Sequence, residues 1–147
     1  MAADEFDNIG PEESACWLCW PGKRVIKSCN SDQPLLVRYF LLHTKPISIF
    51  VHHLMQSDEE RALHDHPWSF LTILLSGGYW EHTTTERIWR RRFSILWRPA
   101  EWQHRLELDR PVWTLVVKFR SRREWGFILP GVGWQRWSHY LTEWCND

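Results

Sequence analysis

Residues 64–78 read HDHPWSFLTILLSGG. An apolar run closed by a glycine pair has the length and punctuation of a β-strand and its turn. In an extended chain residues i and i+2 project from one face, so His64 and His66 can reach one point while Asp65 points away. Working outward, residues 35–43, 47–54, 79–85, 87–97, 104–108 and 112–119 have the same β-type texture, and Lys45-Pro46, Ser57-Asp58, Arg98-Pro99 and Asp109-Arg110-Pro111 supply the turns between them. About seven strands with short links and no helical stretch between them predict an all-β fold, an antiparallel sandwich or small barrel, over residues 34–129.

The flanks differ. Residues 1–33 carry Pro11, Pro21 and Gly22 among acidic residues and read as an N-terminal arm, with room for a short helix over Pro11 to Trp20. Within 130–147, Trp134, Trp137, Leu141 and Trp144 follow a helical period, which predicts a C-terminal helix packing its tryptophan stripe on the barrel. A chain of 147 residues with 44% apolar and 24% charged residues suits one domain. Such a domain buries roughly 68–70% of its extended surface and needs neither metal nor disulfide to stay folded. Eighteen basic residues cancel eighteen acidic ones, so a nucleic-acid binder is disfavoured. No window approaches the roughly 18 apolar residues of a membrane span, and the N-terminus is acidic, which predicts a cytoplasmic protein. The four cysteines then read as thiols; Cys16-x-x-Cys19 with Cys29 is only half of a structural zinc pattern. Twelve tryptophans against three tyrosines point to aromatic packing or an aromatic-lined pocket.

Two imidazoles on one strand need a third ligand from a neighbour, and His104, at the head of a β-run, qualifies. His64-x-His66, the apolar strand and Gly77-Gly78, followed by Pro99-x-Glu101-x-x-His104, together resemble the two motifs of the RmlC-like cupins. The resemblance covers about residues 35 to 120 and implies a cupin-type jelly-roll barrel holding a metal or a small ligand. The motif is degenerate: its glutamate ligand falls at Phe70 or Leu71, and Glu101 stands at the turn glycine. The resemblance therefore implies a three-histidine site from His64, His66 and His104, similar in ligand set to the thiol dioxygenases.

Three neutral imidazoles leave a divalent charge uncompensated, which favours an anionic, chelating small-molecule substrate. Fe(II) would keep positions for that substrate and O₂, giving oxygenase-like chemistry, and zinc could use the same histidines. The alternative is a metal-free or non-catalytic cupin in which these histidines hydrogen-bond a sugar or nucleotide sugar. Glu81 or Glu101 could replace the missing ligand. Trp68, Phe70, Trp80, Trp102, His53 and Arg91 are the pocket candidates, the last as an inward cation for an anionic ligand. The apolar run Leu35 to His43 has the character of an edge strand that a homodimer would cover.

Overall fold

The structure, a computed structural model, describes residues 22–27, 33–44, 46–58 and 62–144. Its elements are β1 (Lys23–Lys27), β2 (Pro34–His43), β3 (Ile47–Leu54), β4 (Leu63–His64), β5 (Phe70–Ser76), β6 (Tyr79–His82), β7 (Arg87–Arg90), β8 (Ile95–Arg98), β9 (Arg105–Glu107), β10 (Val112–Phe119), β11 (Gly126–Leu129), β12 (Gly133–Arg136) and the helix α1 (Trp137–Trp144). One six-stranded sheet has the order β1-β2-β3-β10-β5-β8, and two three-stranded sheets, β12-β11-β4 and β7-β6-β9, complete an antiparallel jelly roll.

Alternation in the large sheet sends one set of side chains inward. On β10 these are Val112, Thr114, Val116 and Lys118, and on β5 they are Phe70, Thr72 and Leu74. The register sets Val116 opposite Phe50 and Thr72, which aligns three strands on one core. One cluster joins Leu54, Leu74, Tyr79, Leu96 and Val112, and a second joins Phe50, Trp68, Phe70 and Val116. Burying each large apolar side chain contributes about 1.5–3 kcal/mol, so these two clusters are the main source of stability around the site.

Four boundaries depart from the sequence reading. Residues 23–27, placed in the arm, pair with β2 as an edge strand; three of the five are charged, which an exposed edge accommodates. Leu35 to His43 is consequently not an edge, since β2 lies between β1 and β3 and the edges are β1 and β8. The run 87–97 is two strands, broken by a turn in which Phe93 adopts φ 67° and Ser94 N–H donates to the Arg91 carbonyl at 3.1 Å. At the C-terminus the helix starts only at Trp137, because residues 133–136 form β12 against β11. The tryptophan spacing thus crosses a strand-to-helix junction. Helix α1 docks by stacking Tyr140 on Phe127 at 3.9 Å and Trp137 on Trp125 at 6.1 Å. The Pro11 to Trp20 segment and all four cysteines, Cys16, Cys19, Cys29 and Cys145, lie outside the described residues. Among the described residues no helix is long and apolar enough to cross a membrane.

Candidate metal centre

Regular strand geometry holds only as far as His64, which bridges His104 through backbone hydrogen bonds of 2.8 and 3.0 Å. Beyond it, the side chain of Asp65 fixes the path of the chain. Buried at 1% exposure, Asp65 accepts hydrogen bonds from Gly126 N–H (2.7 Å), Arg123 Nη1 (2.7 Å) and Trp134 Nε1 (3.0 Å). These donors belong to the β11–β12 sheet and the loop before it, so Asp65 staples the histidine pair to that sheet. Position 126 admits only glycine, because a Cβ there would stand 2.0 Å from the Gln135 carbonyl oxygen. His66 N–H then donates to the Ala100 carbonyl at 3.0 Å, which turns its ring back towards His104.

The result is three imidazoles around one point. Ring centroids lie 5.0 Å apart for His64–His66, 5.0 Å for His64–His104 and 5.2 Å for His66–His104, and one ligand nitrogen from each falls within 4.8 Å of the others. His66 Nε2 and His104 Nε2 are 3.0 Å apart. Two cis ligands at about 2.1 Å from an ion stand roughly 3.0–3.4 Å apart, so this pair suits a metal ion. His64 and His66 are half-buried and His104 is buried. Burial first of all lowers the pKa of His64 to about 4, with Asp58 opposing the shift and His104 adding to it. Burial likewise holds His66 well below the usual histidine value, helped by His64 and His104.

Behind His104 stands Glu81. Its carboxylate accepts His104 Nδ1–H at 2.8 Å, Arg98 Nε at 2.9 Å, Arg90 Nε at 2.8 Å and Trp102 Nε1 at 3.1 Å. Burial alone would raise its pKa, but the hydrogen bonds from His104 and Arg98 prevail and hold the carboxyl below the usual carboxylate range. The hydrogen bond from Nδ1 to Glu81 turns the Nε2 atom of His104 towards His66, 3.0 Å away. A carboxylate behind a histidine is the arrangement that fixes tautomer and ring orientation at metal sites. Glu81 therefore lies behind His104 and outside the group of three histidines that could hold a metal ion. Glu101 is not a ligand either; it is exposed and faces Arg122 at 3.4 Å.

The histidines open onto a cavity of about 380 Å³ between the large sheet and the β12-β11-β4 sheet, within the size range of small-molecule sites. Of the sequence candidates, Trp68 and Phe70 line it. The other four do not. Trp80 packs on Trp89 at 5.3 Å under the Arg87 guanidinium, and Trp102 is spent on Glu81. His53 stacks on Trp113 at 4.1 Å on the outer face of the sheet, and Arg91 sits exposed in the β7–β8 turn. Alternation on β3 instead turns His52 inward, where its Nε2 accepts from Arg38 Nε at 3.0 Å. Among the described residues, Arg24, Lys27, Arg38 and Asp58 are the charged residues that line the cavity. Sequence reading missed Arg24 and Arg38; the single charge of Arg38 within the apolar run Pro34–His43 was the available signal. The run of arginines from 87 to 92 drew attention away from them, whereas in the structure Arg90 serves Glu81 and Arg92 the Leu75 carbonyl.

The neutral histidines set an acid limit. Burial, then Arg38, also lowers His52 well below the usual value. All three stay neutral in the folded state, whereas the unfolded chain takes up protons as pH falls below 6.5. Each such histidine removes about 1.4 kcal/mol of stability per pH unit, and His64 alone removes roughly 3 kcal/mol by pH 4. Thermal melts of chelator-treated protein are expected to lose stability steeply from pH 6.5 towards 4; a dependence shallower than one proton would contradict buried neutral rings.

No family model matches the chain and no curated protein matches it. Solved structures do. An RmlC-like cupin from Shewanella frigidimarina NCIMB 400 superposes with a TM-score of 0.52 over 64% of this chain and 84% of its own, at 10% identity. A cupin superfamily protein from Desulfitobacterium hafniense DCB-2 gives 0.51 over 65% and 84%, at 13% identity. The structure of FeII HppE gives 0.56 over 68% and 57%, at 11% identity. At such identities the likeness is one of fold: this is a protein of the cupin fold. Within that barrel, His64, His66 and His104 form a group that could hold a metal ion.

Proposed function

We propose that the protein is a mononuclear metal enzyme in which His64, His66 and His104 hold a divalent cation, Fe(II) favoured, and which acts on a small organic anion with an apolar body. The observation that carries this reading is the convergence of three imidazoles on the wall of a cavity. Such a ligand set leaves the charge of the ion for the substrate to neutralise. The likeness to FeII HppE in fold makes iron a reasonable first choice. Bound there, Fe(II) would supply Lewis acidity, open coordination positions and one-electron chemistry towards O₂.

The chain itself contributes orientation and selection. Glu81 keeps the His104 ring in one tautomer. Arg38, packed 4.4 Å over Phe50 and tied to His52, carries the planar fork that pairs with a carboxylate. Leu36, Leu54, Trp68, Phe70, Trp125 and Phe127 make the rest of the wall apolar, which suits a hydrocarbon or aromatic body better than a polyhydroxylated one. One observation favours a second reading, a metal-free sugar-type binder: His66 and His104 satisfy each other at 3.0 Å without an ion.

Tryptophan fluorescence separates the two, since Trp68 and Trp125 line the cavity. Titration of metal-loaded protein with phenylacetate is expected to quench, and chelation to weaken binding by at least about tenfold. Quenching by glucose that is indifferent to chelator would reject the metal reading and support the second.

A further inference from the structure

Two threonines interrupt the apolar inner face of the large sheet where it floors the cavity. In the inward-facing set of β10, Thr114 stands between Val112 and Val116, and in that of β5, Thr72 stands between Phe70 and Leu74. They are 2% and 6% exposed, and both line the cavity. Valine has the same branched shape without the polar atom, and a buried hydroxyl destabilises a core unless it is hydrogen-bonded. Among the described residues neither hydroxyl meets a hydrogen-bond partner, and the same holds for Tyr79, 3% exposed on the same cavity wall. None of the three oxygens is among the atoms sealed within the core, so the surface they retain is cavity surface.

Register gathers them. Thr72 is set opposite Leu96 and Thr114 opposite Leu74, and Tyr79 shares one buried cluster with both leucines. Phe70, two residues before Thr72 on the same face, has its ring centroid 4.7 Å from that of His66. Residues two apart on a strand are separated by about 7 Å, so the hydroxyls stand one short organic body away from the histidines. We infer that Thr72 and Thr114, with Tyr79 beside them, form a hydroxyl-lined subsite that selects ligands by an oxygen substituent on their apolar body. Resting on the metal reading for the ligand's acid head, the subsite adds a second point of recognition at the ligand's far side. A hydroxyl both donates and accepts, so the class it takes is a hydroxy- or oxo-substituted acid in preference to the bare hydrocarbon acid. An analogue without that oxygen leaves buried hydroxyls unpaired, which is how a polar subsite rejects it.

Calorimetric titration of the metal-loaded full chain compares phenylacetate with its ortho-, meta- and para-hydroxy derivatives. One isomer is expected to bind at least about tenfold tighter than phenylacetate. The double variant Thr72→Val, Thr114→Val is expected to lose that preference while keeping its affinity for phenylacetate, its metal uptake and a melting temperature equal to or above the parent's. Thr72→Ser with Thr114→Ser, which keeps both hydroxyls, is expected to retain the preference. A valine variant that melts lower with its preference intact would make the hydroxyls structural and overturn the proposal, as would a parent that binds all these acids alike or none of them. Failure of the parent to take up an ion would instead strike the metal reading, and the preference measured after chelation would still decide the subsite.

Discussion

Glu81→Ala is expected to destabilise the fold by about 3–5 kcal/mol, the cost of stranding a buried charge. At 1% exposure the carboxylate is the common acceptor of Arg98, Arg90, Trp102 and His104, and Arg98 is itself buried. Removing it leaves the Arg98 guanidinium without its counter-charge on the apolar side of the β6 strand. For a chain of this size the melting temperature is expected to fall by roughly 6–20 °C. Because the folded pKa of Glu81 lies below its unfolded value of 4.5, its contribution is fully present above that pH and is lost as pH falls below it. The gap between parent and variant is therefore expected to be widest near neutrality and to narrow below pH 4.5. Glu81→Gln keeps the shape and an acceptor for His104 but not the charge, and its metal affinity is expected to drop about 10–100-fold. A loss of stability under about 1 kcal/mol in Glu81→Ala would mean that the two arginines find solvent instead.

The second large effect concerns stabilisation by metal. A ligand present at about a thousand times its Kd stabilises the folded state by about 4 kcal/mol, which for this chain is roughly 8–16 °C in melting temperature. Parent protein is expected to show such a rise on addition of Fe(II) under anaerobic conditions, or of Zn(II) or Co(II). His64→Ala, His66→Ala and His104→Ala are each expected to lose most of it. The comparison is made within each variant, with and without ion, so the packing lost with a ring cancels. That matters for His66, which stacks on Trp68 at 5.0 Å, and for His104, which is bonded to Glu81. An equal rise in all three variants would place the ion elsewhere.

The jelly roll was legible because its signals are local. The alternation of Val112 to Phe119 and of Phe70 to Ser76, each closed by turn residues, carries strand identity without reference to the rest of the chain. The convergence of His64, His66 and His104 was legible through the spacing of the first two and the motif resemblance of the third. Short strands were not. β4 has two residues, Leu63 and His64, and owes its position to Asp65 reaching across to Gly126 and Trp134, a contact no periodicity encodes. Glu81 could be singled out as a carboxylate near the site, but its role depended on register: alternation from Tyr79 turns it inward, behind His104 and beside Arg98. The same uncertainty exchanged His52 for His53. The pocket expectation placed on Trp80 and Trp102 followed their proximity in sequence to the motifs and that on Arg91 its alternation with Trp89 and Phe93, whereas among the described residues the cations lining the cavity come from β1 and β2.

Metal content decides whether His64, His66 and His104 make one metal site. Protein prepared without chelator and reconstituted anaerobically with Fe(II), then freed of loosely bound ion and analysed by plasma emission, is expected to hold about one equivalent per chain. The variant with His64, His66 and His104 all changed to alanine is expected to hold none. A parent protein that retains no Fe(II), Zn(II) or Co(II) after reconstitution, or a triple variant that retains as much as the parent, would contradict it.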